Sequence, residues 1–114
     1  MFPNNNQILL YYKTIDMRKG INGLSILIAD EIAMNPSDGC IFLFYNKTYD
    51  KLKCIYWDRN GFCLFYKFLT KDRFKIPKML SSRTISHEQL RWLFDGLDID
   101  KISGFKALKF SHFF

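Results

Sequence analysis

Histidine, cysteine and carboxylates are scarce in this chain, and each scarcity removes a class of chemistry. The two histidines, His87 and His112, have no second ligand at helical or turn spacing, so no metal site is expected. The three cysteines, Cys40, Cys54 and Cys63, are odd in number and form no CxxC pair, which excludes a zinc knuckle and an obvious disulfide framework. Their apolar surroundings mark them as small core hydrophobes. Acids total 11, and Asp16, Asp38, Asp58 and Asp98 stand at turn or cap positions. The convergent carboxylates of two-metal phosphoryl transfer are therefore not evident. A Gly-rich phosphate loop, a GxSxG elbow and a Cys–His pairing are missing as well. Neither catalysis nor a cofactor is expected. No apolar run approaches the ~20 residues that span a bilayer. Met1–Asn6 lacks the basic start and apolar stretch of a signal peptide, so a cytoplasmic, non-membrane protein is expected.

Aromatic residues are abundant. Twelve Phe, 6 Tyr and 2 Trp favour a core rich in β-sheet, where rings fit the pleated surface. With 48% hydrophobic and 25% charged residues the composition is globular, and 114 residues correspond to a single domain over 1–114.

The net charge of +6 is unevenly placed. Residues 1–46 carry three bases and four acids, and residues 84–114 carry four of each. Residues 47–83 carry ten bases against Asp50, Asp58 and Asp72. The whole excess lies in the middle third. A concentrated basic segment is what a polyanion-binding surface requires. The same pattern fits a lysine-rich sheet face that keeps the protein soluble and its edge unaggregated.

Element signals alternate along the chain. Ile8–Tyr12 reads as a first strand, and Asp16 as the N-cap of a following helix. Ile21, Leu24, Ile28 and Ile32 form an amphipathic stripe of about three turns. Gly20 and Gly23 in its first turns suggest close approach of another backbone, and Asn35–Gly39 ends it. Ile41–Tyr45 reads as a central strand buried on both faces. Leu52–Trp57 and Phe62–Leu69 flank Asp58-Arg59-Asn60-Gly61, whose Asn-Gly pair signals a hairpin with Gly61 at positive φ. Arg73–Ile76 would extend this antiparallel meander, and Pro77–Arg83 reads as a mobile connection. Ser86 and Gln89 match a capping box before the stripe Leu90, Leu93, Phe94 and Leu97, with Gly96 near its end. Phe105–Phe114 reads as a late strand or a loosely held tail. The expected fold is α+β: an antiparallel sheet of four or five strands packed by two helices.

Bases thread through the meander. Lys51 and Lys53 alternate with Leu52 and Cys54 and so share one strand face with Ile55 and Trp57. Lys47 lies in the preceding loop, Arg59 at the hairpin tip, Lys67 on the returning strand, and Arg73 beyond it. Lysines interleaved with Tyr and Trp suit phosphate contacts with rings stacked on bases.

Four segments resemble one family. Ile15-Asp16-Met17-Arg18-Lys19-Gly20-Ile21-Asn22-Gly23-Leu24 resembles a TDMRKGxxGL opening, and the run from Asp50 to Phe62 resembles a DRIKxLxWDxxGF centre. Lys67, Leu69 and Arg73-Phe74 look like a KRLExGRF segment, and Ile85–Leu97 like an LTxxQLxxLLxGI helix. Together they resemble the TnpB-type accessory proteins encoded by the second reading frame of the sixty-six family of insertion sequences. The match runs from about residue 8 to 98; residues 99–114 are an unassigned tail. Phe68 stands where the family usually has Arg, and Thr70 where it often has Glu. The resemblance implies a non-catalytic helper that works beside a separate transposase in moving the element. Its motif bases carry over to Arg18, Lys19, Lys51, Lys53, Lys67 and Arg73. The expected partners are DNA, the transposase, or both. The rival reading is a pure protein–protein module whose basic face meets an acidic partner.

Overall fold

The computed structural model describes residues 6–101. At its centre lies Ile41–Tyr45 (β2), where every residue is buried. Such a strand needs cover on both faces, and the chain supplies it. Ile8–Leu10 (β1) runs parallel to β2, with Ile8 opposite Ile41. A parallel neighbour requires a crossover. Ile21–Leu27 (α1) and a π-helical turn, Ile28–Ile32, provide it. Lys51–Asp58 (β3) and Gly61–Phe68 (β4) then pair antiparallel, and Arg83–Ile85 (β5) closes the other edge against β1. His87–Phe94 (α2) follows. The strand order is β4-β3-β2-β1-β5. The architecture is α+β as expected, but the sheet is mixed: the β1–β2 pair is parallel.

Period-two alternation divides the core. Ile8, Leu10, Ile41, Leu43, Tyr45, Leu52 and Cys54 face α2, meeting Leu90, Leu93 and Phe94. Phe42, Phe44 and Ile55 face α1, meeting Leu24, Leu27 and Ile28. The wider π turn brings Ile32 and Met34 onto the second cluster, with the Met34 amide donating to the Ile28 carbonyl at 3.2 Å. Ala33 ends the turn in the left-handed region at φ 58.

The capping box at α2 forms as predicted: the Gln89 amide donates to Ser86 Oγ at 3.0 Å, and the Ser86 amide to Gln89 Oε1 at 2.9 Å. Gly96 takes φ 81 past the helix end. Other local expectations are corrected. α1 starts after Gly20, so Asp16 is not its N-cap; Asp16 Oδ1 accepts from the Arg18 amide at 2.9 Å in a separate turn. Among the described residues a Cβ on Gly20 would meet nothing within 4 Å, and one on Gly23 only the Lys19 side chain. Gly61 pairs with Asp58 in the ladder, while the left-handed residue of the hairpin is Arg59, at φ 53. The two-residue loop is Arg59-Asn60, so the strain falls one position before the Asn-Gly pair.

Arg73–Ile76 forms no strand. Phe74 is instead buried in the core, and Ile76 packs against the same cluster. The predicted connection Pro77–Arg83 runs into β5, whose three residues are too few to show alternation in sequence. Folded structure continues beyond Asp98: Ile99 is buried, and Arg83 Nη1 lies 2.9 Å from Asp100 Oδ1. The expectation for Phe105–Phe114 lies outside the described residues.

Candidate nucleic-acid interface

Three loops meet at the end of the sheet where β2 finishes and β3 begins. The first is 46–50. Asn46 organises it: its Nδ2 donates to Thr48 Oγ1 at 3.0 Å and Asp50 Oδ1 at 2.7 Å, and its Oδ1 accepts the Lys51 amide at 3.0 Å. Tyr49 completes the turn at φ 59. Hydrogen bonds from Asn46 and Thr48 hold the Asp50 carboxyl below the usual carboxylate range. Lys47 projects from this loop into solvent.

The second loop is docked on the first. The Leu69 amide donates to the Asp50 carbonyl at 2.8 Å and the Phe74 amide to the Tyr49 carbonyl at 2.7 Å. Between these anchors Lys71, Asp72 and Arg73 bulge outward, all exposed, with Lys75 just beyond. Burial of the Phe74 ring fixes where the bulge closes.

The third loop, 13–20, is tied to the end of β2 by the Ile15 amide, which donates to the Tyr45 carbonyl at 2.9 Å. Lys53 reaches it from beneath. Its Nζ donates to the carbonyls of Met17 at 2.6 Å and Lys19 at 2.8 Å, and lies 5.2 Å from the centre of the Tyr66 ring. Lys53 is only 7% exposed, and burial lowers its pKa from the ordinary lysine value. This corrects the expectation that Lys53 belongs to a solvent-facing surface. It is a clasp holding the loop, not a free cation.

The eight bases singled out from sequence therefore part company. Arg18, Lys19, Lys47, Lys51 and Arg73 come to one end of the sheet. Arg18 is ion-paired there with Asp16 in solvent: its Nη2 lies 2.6 Å from Oδ2, and the pair holds the Asp16 carboxyl down at about 2. The acid matching Arg18 is thus two residues away in the same turn. Lys51 Nζ lies 3.7 Å from Asp50 Oδ1 and 4.6 Å from the centre of the Phe68 ring. Among the described residues Lys47, Lys71, Arg73 and Lys75 stand in no ion pair. Lys67 and Arg59 are not part of this group. Lys67 points to the α2 face, where its Nζ donates to the Phe94 carbonyl at the helix C-terminus at 2.8 Å. Arg59 sits at the far tip of β3, about 25 Å away for eight antiparallel residues.

Tyr66 and Phe68 escaped the sequence reading as a pair. Register reveals them: pairing about the Arg59-Asn60 loop sets Lys51 opposite Phe68 and Lys53 opposite Tyr66, which leaves Lys67 opposite Leu52 on the other face. Counting outward from the loop would have shown this parity. Elsewhere, no group of three or more His, Cys, Asp or Glu side chains gathers to hold a metal among the described residues. None of the described helices is long and apolar enough to cross a membrane.

The described residues form a small mixed sheet between two helical layers, with basic loops crowded at one end. The profile described as IS66 Orf2-like protein matches residues 6–104, and the chain belongs to that family of insertion-sequence accessory proteins. Two proteins of Sinorhizobium fredii are similar to it. One, y4jC, is 34% identical over 97 residues, covering 84% of this chain and 83% of its own length. The other, y4hO, is 34% identical over 101 residues, covering 86% and 88%. No solved structure matches.

Proposed function

We propose that this protein is a non-catalytic helper in DNA transposition of its insertion sequence, working in the cytoplasm beside the element's transposase and touching DNA through the loops at its basic end. The observation that carries this reading is the convergence of Lys47, Lys71, Arg73 and Lys75 on two loops locked to each other by backbone hydrogen bonds, with no acid paired to them among the described residues. Cations presented on rigid loops lose little entropy when they meet phosphates. Arg18, by contrast, shares its charge with Asp16 in a surface ion pair, and Lys53 and Lys67 are engaged by carbonyls.

The test is a gel shift on the terminal duplex of the element across a salt series. Counterion release makes log affinity fall with log salt by about 0.9 per phosphate contact. Reversing Lys71 and Arg73 to Glu is expected to flatten that slope by about 1.8 and weaken binding to any duplex sequence alike. Unchanged DNA affinity together with lost transposase binding would assign the same loops to an acidic protein partner.

A further inference from the structure

Among the described residues β4 is the outermost strand of the sheet, and it has a feature that duplex binding does not use. Tyr66 and Phe68 alternate on β4, on the face shared with Lys51 and Lys53, and are 49% and 53% exposed. An ammonium lies over each ring: Lys51 Nζ at 4.6 Å from the Phe68 centre and Lys53 Nζ at 5.2 Å from that of Tyr66. About half of each side chain remains accessible. Large rings held at the outermost strand are a self-association hazard unless something uses them.

Resting on the nucleic-acid reading above, we infer that Tyr66 and Phe68 form a stacking platform for single-stranded DNA, with Lys51 and the 69–75 loop receiving its phosphates. Spacing selects the ligand. Residues two apart on a strand are about 6.8 Å apart, twice the 3.4 Å separation of successive bases in a duplex strand. The two rings therefore cannot take neighbouring bases of a stacked helix. A stretched single strand places one base on each ring, and stacking tolerates any base because each has a π face. Charge selects against an apolar protein partner. Seating one here would strip water from the Lys51 ammonium, whose one acidic neighbour among the described residues is Asp50, at 3.7 Å. A phosphate instead supplies that ammonium with a second anion beside Asp50. β4 also ends next to the bulge carrying Lys71 and Arg73, so a strand leaving Phe68 runs directly onto exposed cations that stand in no ion pair among the described residues.

The experiment compares a labelled oligothymidine of about twelve nucleotides with a duplex of equal length by fluorescence anisotropy. Tyr66→Ala and Phe68→Ala are each expected to weaken oligothymidine binding by about 5- to 150-fold and leave duplex affinity within about twofold. Tyr66→Phe and Phe68→Tyr should bind like the parent, because the ring and not its hydroxyl stacks; they also control for folding, as does an unchanged melting temperature in the alanine variants. Alanine variants that bind oligothymidine as tightly as the parent overturn the inference, as do variants that lose duplex binding equally. Conversion of a dimer to a monomer by either alanine, read by sedimentation, overturns it too and assigns the edge to a second copy of this chain. If the duplex binds and responds to Lys71→Glu/Arg73→Glu while the rings prove irrelevant, only this inference falls. If neither oligonucleotide binds, both readings fall.

Discussion

Lys53 and Lys51 stand two residues apart on the same strand face, yet they have different physical roles. The Lys53 ammonium is buried and donates to two carbonyls of a loop 36 and 34 residues away. Replacing it with Glu would set a carboxylate against those carbonyl oxygens and orphan them, so Lys53→Glu is expected to cost about 3 kcal/mol or more. Lys51→Glu, at a half-buried site beside Asp50, should cost no more than about 1 kcal/mol. Urea midpoints of the two variants decide the matter; equal midpoints would refute the clasp. The hairpin gives a second contrast. Arg59 is left-handed at φ 53, a region where β-branched side chains are strained, so Arg59→Val should destabilise by about 1–2 kcal/mol. Gly61 is a ladder residue and a Cβ there meets nothing within 4 Å, so Gly61→Val should stay within about 0.5 kcal/mol. A larger loss at Gly61 than at Arg59 would reverse the assignment of the turn.

At the scale of elements, the candidate interface depends on one asparagine. Asn46 bridges Thr48, Asp50 and the Lys51 amide, and the loop it shapes offers the Tyr49 and Asp50 carbonyls on which 69–74 docks. Asn46→Ala removes three hydrogen bonds and should cost about 1–3 kcal/mol. Its more telling effect is local. Amide exchange at Lys51, Leu69 and Phe74 is expected to accelerate together, while the amides of β1 and α2 keep their protection. Acceleration at Lys51 alone would mean that the two loops are not coupled. The elements themselves were largely legible in the sequence: Ile41–Tyr45 as the buried strand, the hairpin about residues 58–61, and the capping box Ser86–Gln89. Each is signalled by chemistry within a few residues. The π turn was not legible, since Ile21, Leu24, Ile28 and Ile32 suit an ordinary helix; in the fold Ile32 and Met34 pack on the cluster that holds Phe42 and Phe44. β5 was missed for a related reason: three residues become a strand because β1 offers an edge.

For the whole molecule, alkaline pH is the sensitive direction. Burial, reinforced by Asp38, pushes the Cys40 thiol up to about 11, and burial also raises Cys54, Tyr11 and Tyr45. In the unfolded chain thiols ionise near pH 8.5 and phenols near 10, whereas the folded protein keeps these groups protonated. The unfolded state therefore releases protons first, and stability present at neutral pH is lost as pH rises through this range. Lys53, with its pKa lowered, acts in the opposite sense, but it is one group against five, since burial raises Tyr56 as well. The urea midpoint is expected to fall between about pH 8 and pH 10.5, and Cys40→Ala to make the fall shallower. A flat profile would contradict the burial of these groups.

Local chemistry determined a good deal about this protein: an α+β fold, a central strand buried on both faces, membership signalled by motifs in order, and a basic middle third. The fold class, the buried strand and the basic third depend on periodicity, turn residues and composition, which act over a few positions and survive in a linear reading; membership rests on the resemblance of its motifs to one family. Tertiary structure alone decided which bases are free. Lys47, Lys51, Lys53, Arg59, Lys67 and Arg73 look alike in the chain. They differ because carbonyls of Met17, Lys19 and Phe94, remote in sequence, lie within reach of Lys53 and Lys67, because Arg59 is carried to the opposite end of an eight-residue strand, and because Phe74 anchors a bulge that turns Lys71 and Arg73 outward. A lysine's charge is a property of the residue, but its availability depends on which acceptors the fold brings within about 3 Å of its nitrogen.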